Sequence, residues 1–200
     1  NKGIINVELA GVTDKERVRK YLQASANLQF WEVYNIDELG TSLENADKAV
    51  TSYLTGVTAD TTQAVDSVKI KANKNAFLKL INPLSPQTDK TGKKVYPSAL
   101  GNVLLKDTGK YFEYMALENV KLLFPADCKF LFGVAEKVEK TGERYYPLYA
   151  IKTVLGSEKA KLEGDGVEES SQSYDERGRP SIKMQMTNIG SKTWAKLTTD

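Results

Sequence analysis

Residues 4–34 contain the pattern that constrains the fold most strongly. Ile5, Val7 and Leu9 alternate with polar residues, which predicts a strand with one buried face. Residues 13–16 read Thr-Asp-Lys-Glu, a capping box that begins a helix because its side chains satisfy free backbone amides. A second strand follows at residues 28–34. Two parallel strands joined by a helix cross over with a right hand, so this segment predicts a β-α-β unit.

A strand and a helix are also predicted at the other end of the chain. Residues 182–186 alternate between apolar and polar side chains, and a helix from about Ile189 places Trp194 on its buried face. Apolar helix faces at both ends need a sheet to cover them. We therefore expect residues 4–34 and 181–198 to share one small sheet, although most of the chain lies between them.

The middle of the chain is predicted to contain helices and a hairpin. A capping box at residues 41–44 predicts one helix, and a shorter helix ends before a proline. Asp107 is predicted to cap a third helix, whose helical spacing places Phe112 on its inner face. Residues 129–138 and 144–152 form a hairpin around a turn that contains Thr-Gly.

Residues 163–176 are acidic, contain glycine and serine, and include no lysine or arginine. This composition predicts a solvated connection. The predicted class is therefore α+β, with a base subdomain of residues 1–35 and 160–200 and an inserted head subdomain of residues 36–159.

Composition limits the chemistry that the chain can perform. The 200 residues are 40% hydrophobic and 27% charged, as in globular proteins, and the net charge of +2 argues against nucleic acid as a partner. No histidine is present, which excludes His-based triads and His-ligated zinc. Cys128 is the single cysteine, and we expect a small buried hydrophobic residue. We predict no catalytic residue, no cofactor and no bound metal.

Two motifs have both a functional and a structural interpretation. Residues 89–92, Asp-Lys-Thr-Gly, match the start of the phosphorylation motif of cation-pumping ATPases, but the partner motifs are missing and Thr-Gly favours a turn. We interpret these residues as a turn. The lysine-rich stretch 69–110 suggests contact with phosphate or acidic lipid. Because the lysines are irregularly spaced and no arginine accompanies them, a solvated face is favoured.

Several motifs together resemble the SecD family of the bacterial protein-export machinery. The matching segments are residues 5–12 (INVELAGV), 14–17 (DKER), 28–31 (LQFW), 162–165 (LEGD), 178–182 (GRPSI) and 190–198 (GSKTWAKLT). Ala10 and Ser191 depart from the proline and alanine usual in the family. In the variable middle, residues 148–152 (LYAIK) look most like the long form of Bacteroides-type bacteria.

The resemblance implies that the chain is the first extracytoplasmic domain of a larger membrane protein. It implies a ferredoxin-like base, a split β-α-β whose final strand lies beyond Asp200, with the head inserted into it. The family assists protein translocation by binding and holding preprotein that emerges from the translocon, driven by the proton motive force. The implied partners are unfolded preprotein, SecF and the SecY translocon. The implied location is the periplasmic side of the inner membrane, with membrane contact only through segments outside this chain.

We therefore expect a non-enzymatic domain with exposed apolar or aromatic patches. Tyr111, Tyr114, Tyr145 and Tyr149 are the predicted preprotein-binding residues of the head. Because strand residues alternate between faces, Tyr145 and Tyr149 should be separated from Tyr146. Two alternatives remain open, namely a hydrolase or lyase that uses a carboxylate pair in the head, and a docking surface for other Sec subunits. An enzyme would show converging acids in a cavity, whereas a binding domain would show a shallow apolar surface.

Overall fold

A computed structural model describes residues 28–56, 73–139, 141–154, 157 and 159–199. Short antiparallel sheets alternate with helices in these residues, which confirms the predicted α+β class. The strand predicted at residues 5–9 and the helix predicted after it lie outside the described residues.

The strands and helices are numbered in chain order. The strands are β1 (Gln29–Phe30), β2 (Gln87–Thr88), β3 (Lys94–Val95), β4 (Gly101–Leu104), β5 (Cys128–Phe132), β6 (Glu136–Lys137), β7 (Arg144–Lys152), β8 (Leu162–Glu163), β9 (Val167–Tyr174) and β10 (Pro180–Met186). The helices are α1 (Ile36–Thr55), α2 (Ala76–Ile81), α3 (Thr108–Met115), α4 (Glu118–Lys121) and α5 (Asn188–Thr199).

The largest sheet is antiparallel and is built around β7. The β4 strand pairs along one edge of β7, and β5 and β6 pair in succession along the other edge. The hairpin predicted for residues 129–152 is thereby confirmed, with an interruption at Gly133 between β5 and β6. The backbone around Val33 also pairs with β7, opposite Ile151. This contact joins the segment after β1 to the largest sheet.

The start of α1 differs from the sequence prediction. The side chain of Asn35 accepts hydrogen bonds from the backbone of Asp37 and Glu38, and the Glu38 carboxylate accepts one from the backbone of Asn35 at 2.8 Å. This capping box begins the helix at Ile36, so the predicted capping box at residues 41–44 is wrong and lies inside the helix. Gly56 ends α1 with a φ of 69°, a conformation that glycine adopts without strain.

The hydrophobic core lies between α1–α4 and one face of the largest sheet. Its buried residues are Leu39, Leu43, Ala46, Val50, Phe77, Ile81, Leu100, Val103, Tyr111, Tyr114, Val120, Leu148 and Ala150. The short helix α2 confirms the helix predicted before the proline, and Asp47 of α1 caps it by accepting hydrogen bonds from Phe77 and Leu78. Asp107 stands at the predicted cap position of α3, but its side chain makes no capping hydrogen bond.

Residues 163–176 do not form the solvated connection that their composition predicts. Most of this segment is β9, which pairs with β10 over nearly its full length in an antiparallel hairpin. Asp175 shapes the turn by accepting hydrogen bonds from the backbone of Arg177 and Arg179. Because β9 is exposed on both faces, it lacks the hydrophobic alternation by which a strand is usually recognised.

The two ends of the described chain meet through side chains, and no backbone pairing between residues 28–34 and 181–198 is present among the described residues. The β1 strand pairs with β8, while β10 pairs with β9, and within the part of the chain that the structure describes these are two separate pairs. The ring of Phe30 contacts that of Trp194 on α5 at 5.2 Å between centroids. The predicted third strand near Val7 lies outside the described residues, so the ferredoxin-like arrangement and the base and head boundaries remain predictions.

Candidate functional site

The two faces of β7 have different surroundings. Leu148 points into the core and is buried, and the ring of Tyr146 packs against Phe132 on the same side, 5.5 Å between centroids. Tyr145 and Tyr149 lie on the opposite face and are partly exposed. Strand alternation therefore separates Tyr145 and Tyr149 from Tyr146, as predicted.

We call the face that carries Tyr145 and Tyr149 the outer sheet face. Strand register assigns to it Asn102, Leu104, Lys129, Leu131, Glu136, Tyr145, Pro147, Tyr149 and Ile151, of which Pro147 and Ile151 are buried. Leu131 exposes 40% of its surface there, whereas α1–α4 contribute to the core on the other side of the sheet. The outer sheet face is thus a shallow surface with an apolar centre and polar groups at its margin, the kind of surface that binds polypeptide rather than a small molecule.

Tyr145 is held in place on this face by its neighbour across the strands. Tyr145 and Glu136 are register partners, and the Tyr145 hydroxyl donates a hydrogen bond to the Glu136 carboxylate. This hydrogen bond, with a smaller contribution from burial, raises the pKa of Tyr145 above its ordinary value. The phenol therefore stays neutral, and its ring is presented in a fixed orientation.

Tyr149 lies over a position that only glycine can occupy without displacing its ring. A Cβ atom at Gly133 would lie 2.9 Å from Cε2 of Tyr149, closer than carbon atoms approach each other. The backbone N–H of Gly133 donates to the carbonyl oxygen of Pro147 at 2.8 Å, which keeps this segment against β7. Gly133 therefore allows the tyrosine ring to cover the backbone at the interruption between β5 and β6.

The other two predicted tyrosines are part of the core. Tyr111 and Tyr114 on α3 are 4% and 7% exposed. Burial raises the pKa of both phenols, and the Tyr111 hydroxyl has no hydrogen-bond partner among the described residues. Their helical spacing places them on the inner face of α3, so Tyr145 and Tyr149 are the accessible members of the predicted set.

The carboxylate-based alternative requires a pair of converging acids within residues 36–159. A cavity of about 560 Å³ between α1 and the start of α2 is lined by Glu44 and Asp47 together with lysine, serine and threonine. Asp47 is the buried acid of this cavity, and it accepts hydrogen bonds from Phe77 at 2.9 Å and Leu78 at 3.2 Å. Its carboxylate therefore serves as a helix cap, and this geometry gives no support to the carboxylate-based alternative.

Cys128, at the start of β5, packs against the core as predicted, and is partly exposed rather than fully buried. Burial, with a smaller effect of Asp127, raises the pKa of its thiol to about 12. The thiolate is the reactive form, so Cys128 stays protonated and unreactive at neutral pH.

The turn interpretation of residues 89–92 is confirmed. Asp89 accepts hydrogen bonds from Thr91 and Lys93, and Gly92 has a φ of 84° between β2 and β3. In the described part of the lysine-rich stretch all lysines are exposed, which agrees with a solvated face: Lys74, Lys79, Lys90, Lys93, Lys94, Lys106 and Lys110.

Sequence reasoning did not identify Leu131 or Phe112 as surface residues. Leu131 lies in the run Lys-Phe-Leu-Phe, where the alternation is hidden because apolar residues point to both faces of β5. Phe112 was assigned to the buried face of its helix, but 60% of its surface is exposed. Its ring stands beside that of Phe132 at 5.7 Å between centroids.

The sequence of this chain is similar to that of a protein translocase subunit. Protein translocase subunit SecD of Rhodothermus marinus is 29% identical to this chain over an alignment of 201 positions, which covers 97% of this chain and 31% of the relative. The chain therefore spans about a third of the length of that protein. No family model and no solved structure matches the chain. Among the described residues, none of the helices is both long and apolar enough to cross a membrane.

The similarity to a translocase subunit supports the prediction that the chain is not an enzyme. The matched region includes both ends and the variable middle, so it is wider than the short motifs on which the resemblance was based. The chain is thus similar to SecD over nearly all of its length, which confirms the resemblance that its motifs predict.

Proposed function

We propose that this chain is an extracytoplasmic domain of a subunit that assists protein translocation, and that its outer sheet face binds unfolded preprotein. The observation that carries the proposal is the position of Tyr145 and Tyr149 beside the exposed Leu131 on a sheet face that lies opposite the core. The similarity to SecD supports a role in protein translocation, and the exposed outer sheet face supports preprotein binding at that face.

The chemistry of the outer sheet face suits a ligand of variable sequence. Tyrosine rings offer large contact areas, and few rotatable bonds have to be ordered when they bind. Lys129 and Glu136 at the margin supply charges of both signs, so neither acidic nor basic segments are excluded. A shallow apolar surface binds each segment weakly, which lets a polypeptide be held and then released.

The proposed partners beyond preprotein are SecF and the SecY translocon, which would be reached through the full-length protein. The proposed location is the periplasmic side of the inner membrane. In this scheme the proton motive force acts through parts of the protein outside this chain, and the domain itself contributes the binding surface.

Site-specific crosslinking in the full-length membrane complex tests the proposal. A photoreactive amino acid is placed at Leu131 or at Tyr149, and a preprotein is stalled during translocation. Tyr53 on α1 is the matched control, because it exposes 50% of its surface and lies outside the outer sheet face. We expect crosslinks to preprotein from the first two positions and few from Tyr53.

Equal crosslinking from all three positions would contradict the proposed binding surface. Crosslinks from Leu131 to SecF or SecY, with none to preprotein, would instead favour the docking surface that the sequence left open as an alternative.

A further inference from the structure

The β5 strand is an edge strand of the largest sheet in the part of the chain that the structure describes. It pairs with β7 along one side only. On that side Gly133 donates to the Pro147 carbonyl at 2.8 Å, and Thr153 donates to the Asp127 carbonyl at 2.7 Å. Because the hydrogen-bonding direction alternates along an antiparallel strand, these two bonds direct the odd-numbered residues of β5 toward β7.

The even-numbered residues of β5 therefore direct their backbone groups away from the sheet. Phe130 and Phe132 each present an N–H and a C=O at this edge, and neither backbone is paired with a residue that the structure describes. Unpaired strand edges are templates for an additional strand. These hydrogen-bonding groups are common to all polypeptides, so the backbone bonds themselves do not select for sequence.

Apolar side chains flank the edge on the core side of the sheet. The ring of Phe130 contacts Phe124 at 4.9 Å and that of Phe132 contacts Phe112 at 5.7 Å between centroids. Phe112 is 60% exposed, although its neighbour Tyr111 is buried. An additional strand beside β5 would cover Phe112 with every second side chain and remove its apolar surface from water.

The opposite side of the edge is positively charged. Lys129 and Leu131 lie on the outer sheet face, and Lys129 is exposed without an ion pair to any of the described residues. Side chains of an added strand on this side would lie next to Lys129, where an acidic residue is favoured.

We propose that β5 binds an extended segment of unfolded polypeptide as an additional antiparallel strand, with apolar residues alternating with acidic or hydroxyl residues. This inference rests on the proposed function, because its occupant is the preprotein, and it specifies how the backbone of the preprotein is held. The antiparallel direction follows the pairing of every strand in the largest sheet.

The register of such a strand is determined by the two sides of the edge. In a hydrogen-bonded antiparallel pair, residues directly opposite each other have side chains on the same face. Residues that bond to Phe130 and Phe132 therefore direct their own side chains toward Phe112. The apolar residues of the segment must donate the hydrogen bonds, and the acidic or hydroxyl residues have N–H groups that point away.

The test uses the 200-residue chain and a synthetic peptide of about ten residues, a usual strand length, in which valine alternates with threonine and glutamate. Two further peptides of the same composition carry N-methyl groups, one on the valine amides and the other on the threonine and glutamate amides. We expect valine methylation to weaken binding at least about tenfold, a change of about 1.4 kcal/mol, while the other peptide keeps its affinity.

Amide hydrogen exchange of the chain provides a second measurement. Binding should slow exchange at Phe130 and Phe132, while the amide of Leu131, which points toward β7, should change little. A Phe112→Ala variant should bind the peptide less tightly than an Ile182→Ala control, whose side chain is 73% exposed on β10. A Lys129→Glu variant should bind the peptide that contains glutamate less tightly, and the loss of affinity should be largest at low salt.

The outcomes separate the two proposals. If the unmethylated peptide binds and both methylated peptides bind equally well, the strand-addition inference is overturned and the proposed function stands. If no peptide binds and no preprotein crosslinks form, the proposed function fails as well. If Phe130 and Phe132 exchange slowly in the free chain, and more slowly as its concentration rises, a second copy occupies the edge and the inference is wrong.

Discussion

The hydroxyl of Tyr34 donates a hydrogen bond of 2.7 Å to the carboxylate of Asp127, which lies 93 positions further along the chain. The surrounding backbone pairs with β7, because Tyr34 donates to the Ala150 carbonyl at 2.7 Å and Lys152 donates to the Glu32 carbonyl at 2.9 Å. The ammonium group of Lys152 also lies 4.7 Å from the centre of the Tyr34 ring. Tyr34 therefore holds the segment after β1 against the largest sheet.

Replacing Tyr34 with phenylalanine removes the hydroxyl and keeps the ring. We expect Tyr34→Phe to lower the free energy of unfolding by about 1 kcal/mol, the usual net contribution of one hydrogen bond. Chemical denaturation measures the change. Tyr174→Phe is the control, because Tyr174 is 67% exposed and makes no hydrogen bond through its hydroxyl to the described residues. Equal losses in the two variants would show that the bond to Asp127 does not stabilise the fold.

Asp47 is a buried acid whose role is structural. Because its carboxylate accepts the N–H groups of Phe77 and Leu78, Asp47→Ala leaves two donors at the start of α2 without their partner. We expect a loss of about 1–3 kcal/mol in the free energy of unfolding. Asp47→Asn keeps an acceptor oxygen and should lose less. Glu44→Ala removes an exposed carboxylate from the same cavity, and a loss as large as that of Asp47→Ala would refute the capping role.

Acid should destabilise the chain partly through Glu38. Partial burial alone would raise the pKa of Glu38, but hydrogen bonds from Lys152 and from the Asn35 backbone, with the Lys152 charge, lower it below its ordinary value. A carboxylate whose pKa is lower in the folded state contributes stability above its unfolded pKa. That contribution is lost as the pH falls through the folded pKa.

The Glu38→Gln variant isolates this effect, because glutamine at the third helical position still completes a capping box. We expect the variant to be less stable than the parent chain near neutral pH, and the difference to shrink as the pH falls through the lowered pKa of Glu38 in the folded state. Urea titrations across this range measure it, with Glu44→Gln as the matched control. A difference between Glu38→Gln and the parent that does not change with pH would contradict this assignment.

Periodicity predicted those elements whose two faces differ in burial, and it failed where they do not. Tyr145 and Tyr149 were separated from Tyr146 because β7 has one core face and one outer sheet face. The β9 strand, with serine and glutamate exposed on both faces, carries no such signal, since its order comes from pairing with β10. The start of α1 had a signal in residues 35–38, Asn-Ile-Asp-Glu, but a second acceptable capping box further along competed with it.

Periodicity also predicted only part of the candidate site. Alternation could place tyrosines on a sheet face, but it could not show which strand would lie at the edge. That depends on which strands pair with β7, and pairing is decided by contacts between segments far apart in the chain. Helical spacing assigned Phe112 to the inner face of its helix, whereas 60% of its surface is exposed beside Phe132 of the edge strand β5.

Gly190 provides the sharpest test of the packing between α5 and the turn before β9. It lies in the first turn of α5, and a Cβ atom there would clash with the backbone of Gly166, including its carbonyl oxygen. Because the atoms in the way are backbone, Gly190→Ala forces the helix and the turn apart. We expect a loss of about 1–3 kcal/mol, the usual cost of overpacking, in the unfolding transition measured by tryptophan fluorescence. Trp194 lies on the same helix and reports on this region.

Gly40 is the matched control, since it also lies in a helix, but its Cβ would meet no atom within 4 Å. Gly40→Ala should therefore raise the free energy of unfolding by about 0.5–1 kcal/mol, because alanine has the higher helix propensity. The same substitution is thus expected to have opposite signs at the two glycines. If Gly190→Ala were neutral or stabilising, the close contact between Gly166 and Gly190 could not be part of the folded structure in solution.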